Sequence, residues 1–457
     1  AMRLPEDDDA RLVLADALEQ AGDPLGPWIA LHVALSQLPP EEDEERERLD
    51  AEAADYLTEH GDAICAFFGL SQRTCRFERG EPVEVELTAH QLSRALPTLS
   101  ERAAVRRLRV VHTARAADAL REALAMEGGS TIREWIFPER LPVGLPEAFG
   151  AWPHAVEVLE GRLTAGEIER LLRQRTFAGL RSLRLLDEAL TPEVAALLPD
   201  SLRELTVRSA SPAALAALVA RPCCARLERL SVDAAEEVEG WFTLLLTATS
   251  LRALDLGTAW STVQPLEGVA PLRTLRFSST RPVADVERLF AIDELGSVET
   301  LWVGGLRLSL AVLEALARSG WRQVREFSAT ACGIDAEAVV PLARWLPDSI
   351  RSLGLASNEL GDEGTVRLAT SPNLAGLRDL DLSSCAMGGR GVMALAEVRW
   401  TRLRTLRLSS NPVGDSVAAL VDAPGLARLR LLSLYEPGAS RATWRALRKR
   451  FGDVLTT

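Results

Sequence analysis

The pattern L-x-x-L-x-L returns along this chain at a nearly fixed interval, and nothing else in the sequence restricts the fold so strongly. It reads LRSLRL from Leu180, LRELTV from Leu202, LERLSV from Leu227, LRALDL from Leu251 and LRTLRF from Leu272. It continues as VETLWV from Val298, VREFSA from Val324, IRSLGL from Ile350, LRDLDL from Leu377, LRTLRL from Leu403 and LRLLSL from Leu429. The intervals are 22, 25, 24, 21, 26, 26, 26, 27, 26 and 26 residues. Weaker copies stand upstream as VRRLRV from Val105, IREWIF from Ile132 and AVEVLE from Ala155. A self-similar period of this size marks a stack of small supersecondary units.

Within each unit the fourth and sixth residues are apolar and alternate with polar ones, which predicts a short strand with one buried face. Stretches such as DEGTVRLATS and GDSVAALVDA space their apolar residues as a helix does. One strand and one helix cannot bury their own apolar faces, so neighbouring units must share a core. The expected fold is α/β: a solenoid with a curved parallel sheet inside and helices outside. Helices are wider than strands, which puts the sheet on the concave side.

LGLASNELGDEGTVRLATSPNLAGLRDLDL and LRLSSNPVGDSVAALVDAPGLARLRLLSL resemble leucine-rich repeats of the ribonuclease-inhibitor-like class. In that class an Asn or Cys after the strand satisfies backbone groups of the turn, and Asn358, Asn411, Cys332 and Cys385 match it. The units near Leu202, Leu227, Leu251 and Leu272 lack that residue and are shorter. Irregular or 3₁₀ connections are expected there.

Residues 1–72 differ in kind and read as a small all-helical domain of four helices. The domains expected are residues 1–72, a solenoid over 73–435 and a C-terminal capping helix over 436–457, in which Trp444, Leu447 and Phe451 cover the end of the stack. RLVLADALEQAGDPLGPWIALHVALSQLPP (Arg11–Pro40) has the outline of a DNA-reading helix-turn-helix. Charge argues against that role. Residues 1–60 hold 17 Asp and Glu against four Arg, which accounts for the whole net charge of −13. Affinity for a duplex comes largely from Lys and Arg on phosphate, so this segment would be repelled.

The same stretch resembles the repeat-companion domain of predicted bacterial proteins, D-x-x-R-L-V-x-A-D-x-L-E-x-x-G-D-P-x-G. Asp8, Arg11, Leu12, Val13, Ala15, Asp16, Leu18, Glu19, Gly22, Asp23, Pro24 and Gly26 carry the match. CRFERGEPVEVELT (Cys75–Thr88) resembles its usual junction into repeats. The resemblance implies an architecture and brings no activity. Leu12, Ala15, Leu18, Ile29, Leu31 and Val33 to Leu35 are the expected core of the pair, and Glu42/Arg46 and Glu44/Arg48 the expected ion pairs of the third helix.

Catalytic chemistry finds little support. The five histidines (His32, His60, His90, His112, His154) form no metal-binding or base–nucleophile spacing, and no Gly-x-Ser-x-Gly or Walker loop is present. Of 52 basic residues, Lys449 is the only lysine; the bias toward Arg points to a GC-rich genome. The six cysteines form no Cys-x-x-Cys; Cys223–Cys224 reads as a pair of small core residues. No cofactor and no metal are expected. No signal-peptide core opens the chain, and no apolar run reaches a membrane-spanning length of ~18 residues. The cytoplasm is therefore the expected compartment, with no membrane partner.

Function then rests on surface. The third and fifth residues of each strand should face away from the core. The expected partner-binding positions on this face are Asp255, Arg276, Thr300, Trp302, Glu326, Asp381, Arg407 and Tyr435. Trp302 can act as an anchor or pack across Gly304 and Gly305. Trp321, Trp345 and Trp400 are expected to fill connections. The resulting expectation is a non-catalytic scaffold that binds an unidentified protein on the concave face. An alternative is RNA or an acidic ligand along a ladder of second-position arginines (Arg181, Arg203, Arg252, Arg273, Arg325, Arg351, Arg378, Arg404, Arg430), although the even charge balance of the repeats disfavours nucleic acid.

Overall fold

The computed structural model describes residues 4–39, 43–70, 75–111, 117–126, 131–140, 145–232, 239–257, 269–279, 286–291, 293–435 and 438–456. The expected domain edges at 72–73 and 436, and His112, fall outside these residues. The chain divides into two compact units, Ala1–Val207 and Arg208–Thr457.

The first unit opens with α1 (Asp8–Gln20), α2 (Leu25–Gln37) and α3 (Asp43–Phe67). Three helices thus stand where four were expected. Gly61 does not break α3, because it is buried in its middle, and packing outweighs the ~1 kcal/mol propensity cost of glycine. Asp7 caps α1 by accepting from the Ala10 N–H at 3.0 Å. The turn into α2 uses Gly22 at φ 74°. Gly26 is needed for close approach instead: a Cβ there would lie 2.6 Å from the Ala15 carbonyl. Arg46 donates to the Leu35 and Leu38 carbonyls at 3.2 and 2.7 Å, closing the end of α2. Arg48 pairs with Glu45 and Glu52, while Glu42 and the Glu44 side chain lie outside the described residues.

An antiparallel hairpin follows, β1 (Cys75–Glu78) and β2 (Glu81–Thr88). Its turn is gripped by the helices. Arg11, only 4% exposed, donates to the Arg79 carbonyl and forms an ion pair with Glu81, whose other oxygen accepts from the Ala104 N–H at 2.9 Å. Arg79 in turn pairs with Asp8. The D-x-x-R spacing of Asp8 and Arg11 is therefore a clamp, and Arg11 belongs to the core, where the expected Leu12, Leu18 and Leu31 are only half-buried and Ala34 is exposed. Ile29, Val33 and Leu35 are buried as expected. Trp28 lies edge-on to both His32 and Phe77, at 4.2 and 5.1 Å between centroids.

From β2 the unit is a parallel sheet: β3 (Arg107–Val111), β4 (Glu134–Arg140), β5 (Val158–Arg162), β6 (Ser182–Leu185) and β7 (Glu204–Val207). Between its strands run α4 (Ala89–Arg102), α5 (Ala117–Ala125), α6 (Leu145–Ala148), α7 (Ala165–Leu172) and α8 (Pro192–Leu197). Leu108, Trp135, Leu159, Leu183 and Leu205 share one buried row. This corrects the frame read from Ala155 by one residue: the unit starts at Val156, with Leu159 fourth and Gly161 sixth. Glycine hides the frame, and it fits because a Cβ there would press on Phe137, 3.2 Å from its carbonyl.

The second unit carries α9 (Pro212–Val219), β8 (Arg229–Val232), α10 (Glu239–Thr247), β9 (Ala253–Leu256), β10 (Thr274–Ser278), β11 (Thr300–Gly304), α11 (Leu310–Arg318) and β12 (Glu326–Thr330). It continues with α12 (Val339–Trp345), β13 (Ser352–Gly354), α13 (Gly361–Ala369), β14 (Asp379–Asp381), α14 (Gly389–Glu397), β15 (Thr405–Arg407), β16 (Leu431–Ser433), α15 (Arg441–Phe451) and β17 (Leu455–Thr456). All strands from β8 to β17 are parallel and in sequence order. Leu254, Leu275, Leu301, Phe327, Leu353, Leu380, Leu406 and Leu432 align as one buried row. Consecutive helices α11 to α14 pack side by side behind it.

The connections differ from expectation in two places. Ordinary helices α9 and α10 follow the units at Leu202 and Leu227, where irregular or 3₁₀ connections were expected, although a 3₁₀ turn also stands at Cys224–Arg226. The expected 3₁₀ geometry does follow the Leu272 unit, at 286–291 and 293–297, and the connection after the Leu251 unit lies outside the described residues. GDSVAALVDA, expected to be α-helical, forms a 3₁₀ helix over Gly414–Leu420. Leu447 and Phe451 of α15 are buried, Trp444 is half-buried, and β17 adds a last strand beside β16. Trp321, Trp345 and Trp400 are buried in connections, as expected.

Each regular turn is closed by the next repeat. Asn358 Oδ1 accepts from the N–H groups of Cys332 and Ile334 at 2.9 and 3.0 Å, and its Nδ2 donates to the Ala329 and Leu355 carbonyls at 2.7 and 2.8 Å. Asn411 does the same for Cys385, Met387, Leu382 and Leu408. The intervening cysteines donate their thiols to carbonyls of the preceding repeat, Cys332 to Val303 and Cys385 to Leu355. Burial pushes these thiols up to about 12 and about 11, which removes them from thiolate chemistry. The residue before each ladder position is left-handed: Ala331, Ser357, Ser384 and Ser410 lie at φ 53–58°.

Asn358→Ala removes the acceptor of the Cys332 and Ile334 N–H groups and the donor to the Ala329 carbonyl in a buried turn. The expected loss is ~3 kcal/mol or more of unfolding free energy, read from a chemical denaturation midpoint. A second outcome concerns His32, which burial holds at about 4 instead of 6.5. The unfolded chain binds that proton first, so stability falls as pH drops from 6.5 toward 4, by about 2 kcal/mol at pH 5. His32→Phe should flatten that part of the stability–pH curve.

Candidate interaction surface

Parallel pairing without slips puts equivalent residues of unit 2 in straight rows across the sheet. The fifth-position row reads Asp255, Arg276, Trp302, Ser328, Gly354, Asp381, Arg407 and Ser433. Beside it the third-position row reads Ala253, Thr274, Thr300, Glu326, Ser352, Asp379, Thr405 and Leu431. Seven of the eight expected positions therefore lie on two adjacent rows of one sheet. Tyr435 stands two residues beyond Ser433 and 57% exposed, at the end of the sheet. Its backbone is fixed by bonds to Ser409 Oγ and the Ser410 N–H.

The row has an internal order that the sequence alone did not reveal. Asp255 and Arg276 adjoin Trp302 on one side; Asp381 and Arg407 form a second acid–base step farther along. Between them Ser328 and Gly354 make a notch, where a Cβ on Gly354 would come 3.0 Å from Ser328 Oγ. The Trp302 ring runs along Gly304, at 3.4 Å from where its Cβ would be, and still remains 39% exposed. The packing of Trp302 across Gly304 is thus present, and part of the side chain stays exposed. Thr300 Oγ1 donates to Glu326 at 3.4 Å, and Asp381 Oδ1 accepts from the Ser383 N–H at 2.9 Å. Among the described residues neither Arg276 nor Arg407 has a carboxylate at ion-pair distance.

The equivalent face of unit 1 is self-neutralised. Arg107 bridges Glu84 and Glu134 at 3.3 and 2.5 Å, Arg109 meets Glu86 at 3.1 Å, and Arg184 bridges Glu160 and Glu204 at 3.3 and 3.6 Å. These cross-strand ladders satisfy the charges within the sheet.

Chemistry beyond binding has little material to work with. Among the described residues no group of three or more His, Cys, Asp or Glu is placed to hold a metal ion. An open cleft of about 320 Å³ between α12 and α13 is lined by Val340, Ala343, Arg344, Arg367, Thr370, Ser371 and Pro372, without a carboxylate or imidazole. Cys223 and Cys224 are buried, and burial raises Cys224 to about 11. No described helix is long and apolar enough to cross a membrane.

The described chain is a long parallel sheet whose strands alternate with helices and 3₁₀ turns. The family described as Leucine Rich repeat matches residues 377–396, the stretch from the β14 unit into α14. No curated protein matches the sequence. Among solved structures, a chain of the yeast Rad7–Elc1 complex is similar at 12% identity, over 89% of this chain and 96% of that one, with a TM-score of 0.48. An internalin from Listeria monocytogenes is 16% identical over 68% of this chain and 81% of its own, with a TM-score of 0.36. A chain of the TLR13–ssRNA13 complex is 14% identical over 82% of this chain and 57% of its own, with a TM-score of 0.42.

Proposed function

We propose that this protein is a non-catalytic interaction scaffold that takes a partner protein on the open sheet face of unit 2. The observation that carries this reading is Trp302, 39% exposed on a fixed strand and flanked in the same row by Arg276, which has no ion pair among the described residues. Exposed tryptophan and arginine on a rigid base are the residues that dominate protein interfaces. Size sets a condition as well. From β9 to β16 the row crosses seven intervals of ~4.8 Å, about 34 Å. Strands of three to five residues make this strip ~10–17 Å wide, so the residues flanking the strands must complete the ~800 Å² that a standard interface takes from each partner.

The same reading carries the finer assignments. The alternating Cys332, Asn358, Cys385 and Asn411 ladder supports repeats of the ribonuclease-inhibitor-like class. The clamp of Asp8 and Arg11 on the β1–β2 turn supports residues 1–72 as a companion module that covers the first repeat strand, with the solenoid over 73–435 and the cap over 436–457. Six cysteines outside disulfides, five of them buried, suit a reducing bacterial cytoplasm.

With the partner recovered from native cell extract, Trp302→Ala is expected to weaken it by ~30-fold, about 2 kcal/mol. Asp255→Arg and Arg407→Glu should weaken it at least tenfold, while Arg318→Glu on α11 leaves it unchanged. Calorimetric titration checks this; equal affinity for all four variants would refute the reading.

A further inference from the structure

Helix α15 carries a charge pattern that its role as a cap does not explain. Its sequence RATWRALRKRF holds five cations and no carboxylate, and Asp453 is the only acid between Arg441 and Thr456. At about 100° of turn per residue, the buried Thr443, Leu447 and Phe451 fall on one side and pack into the stack. Arg441, Arg445, Arg448 and Lys449 fall within about 100° on the far side, and all four are exposed. Arg450 is used by the packing instead: it donates to the Val421 carbonyl at 3.3 Å and lies 5.4 Å from the Phe451 ring centroid.

On α3, α5, α11 and α13 arginines are matched by a carboxylate three or four residues away, Arg48 by Glu45, Arg121 by Asp118, Arg318 by Glu314 and Arg367 by Glu363. On α15 nothing plays that part. Among the described residues Arg441, Arg445, Arg448 and Lys449 have no carboxylate at ion-pair distance. The helix dipole accounts for Arg448 and Lys449, which stand in the last turn. It opposes Arg441, the first helical residue, and Arg441, Arg445 and Lys449 repel one another at i,i+4 spacing. An anionic contact relieves that repulsion.

We propose that α15 is a peripheral membrane-contact element, which lays its cationic stripe on the anionic headgroups of a lipid bilayer. Shape and border chemistry select the bilayer. The stripe is a straight row on a convex helix, about 12 Å long from Arg441 to Lys449 at ~1.5 Å per residue. A plane of headgroups meets such a row along its whole length, whereas a single nucleic-acid strand is held in a groove with aromatic platforms. Trp444 lies at the edge of the stripe, one turn before Arg448, and is half-buried; an indole with one apolar and one wet side suits the headgroup boundary. The apolar face of α15 stays in the stack, so the contact is superficial. The expectation of no membrane partner rested on the lack of a spanning run, which such a contact does not use.

The test is co-sedimentation of the full-length protein with vesicles of mixed phosphatidylglycerol and phosphatidylcholine, and with vesicles of phosphatidylcholine alone. The wild type is expected to pellet with the anionic vesicles at low salt and not with the neutral ones. It should be released in ~0.5 M salt, where the Debye length is about 4 Å. Each cation at an anionic bilayer changes the partition coefficient roughly fivefold, so Arg441→Gln with Arg445→Gln is expected to weaken binding by ~25-fold. Arg318→Gln with Arg344→Gln removes the same charge from α11 and α12 and should leave binding unchanged; both double variants are compared at unchanged thermal unfolding. A wild type that ignores anionic vesicles at low salt overturns the proposal, and so does an equal loss in the two double variants. Retention of single-stranded RNA or poly-glutamate in place of vesicles, abolished by Arg441→Gln with Arg445→Gln, would overturn it too and assign the stripe to nucleic acid or to an acidic protein.

Discussion

In unit 2 each repeat completes the hydrogen bonding of the one before it, and the surface depends on that closure. Asn358 and Asn411 each join four backbone groups across two turns. Helix starts are closed in the same way. Asp362 accepts from the N–H groups of Gly388 and Gly391 at the start of α14, and Asp415 from the Ser440 N–H and the Thr443 hydroxyl at the start of α15. A buried peptide group without a partner costs on the order of 1–3 kcal/mol, so neighbouring repeats have little freedom to slide. Fixed register turns a sequence period into straight rows of side chains.

Those rows divide the labour between the two units. On unit 1 the strand-borne charges are spent on each other, in ladders such as Glu84–Arg107–Glu134. Such a face offers a partner little, because its ions must be separated or desolvated before new contacts form. On unit 2 the open-face row offers Arg276 and Arg407, which have no carboxylate partner among the described residues, a partly exposed Trp302 and a notch at Ser328 and Gly354. Contacts there add to the structure without dismantling it.

Much of this was legible in the sequence, for a physical reason. Strand side chains alternate with a period of two, and the leucine frame therefore assigns every third and fifth residue to the open face. Seven of the eight expected positions fall on those two rows. What escaped is what depends on distant partners or on missing side chains. Arg11 reads as a surface cation until Glu81, 70 residues on, is seen to bury it. Gly161 removes the apolar sixth residue and lets the frame slip from Val156 to Ala155. Gly61 suggests a helix end, but packing carries α3 through it. GDSVAALVDA has helical spacing, and only its tertiary setting makes it 3₁₀. The notch is a property of two neighbouring repeats together, which no single unit displays.

The central claim is that the open row of unit 2 is where a partner protein sits. Site-specific photo-crosslinking in the native cell tests it most directly, with a benzophenone side chain placed in turn at Trp302, Ser328 and Arg407, and at Arg318 and Met393 on helices α11 and α14. The account predicts one shared adduct from the three strand positions and none from the two helix positions. Adducts from the helix positions alone would contradict it.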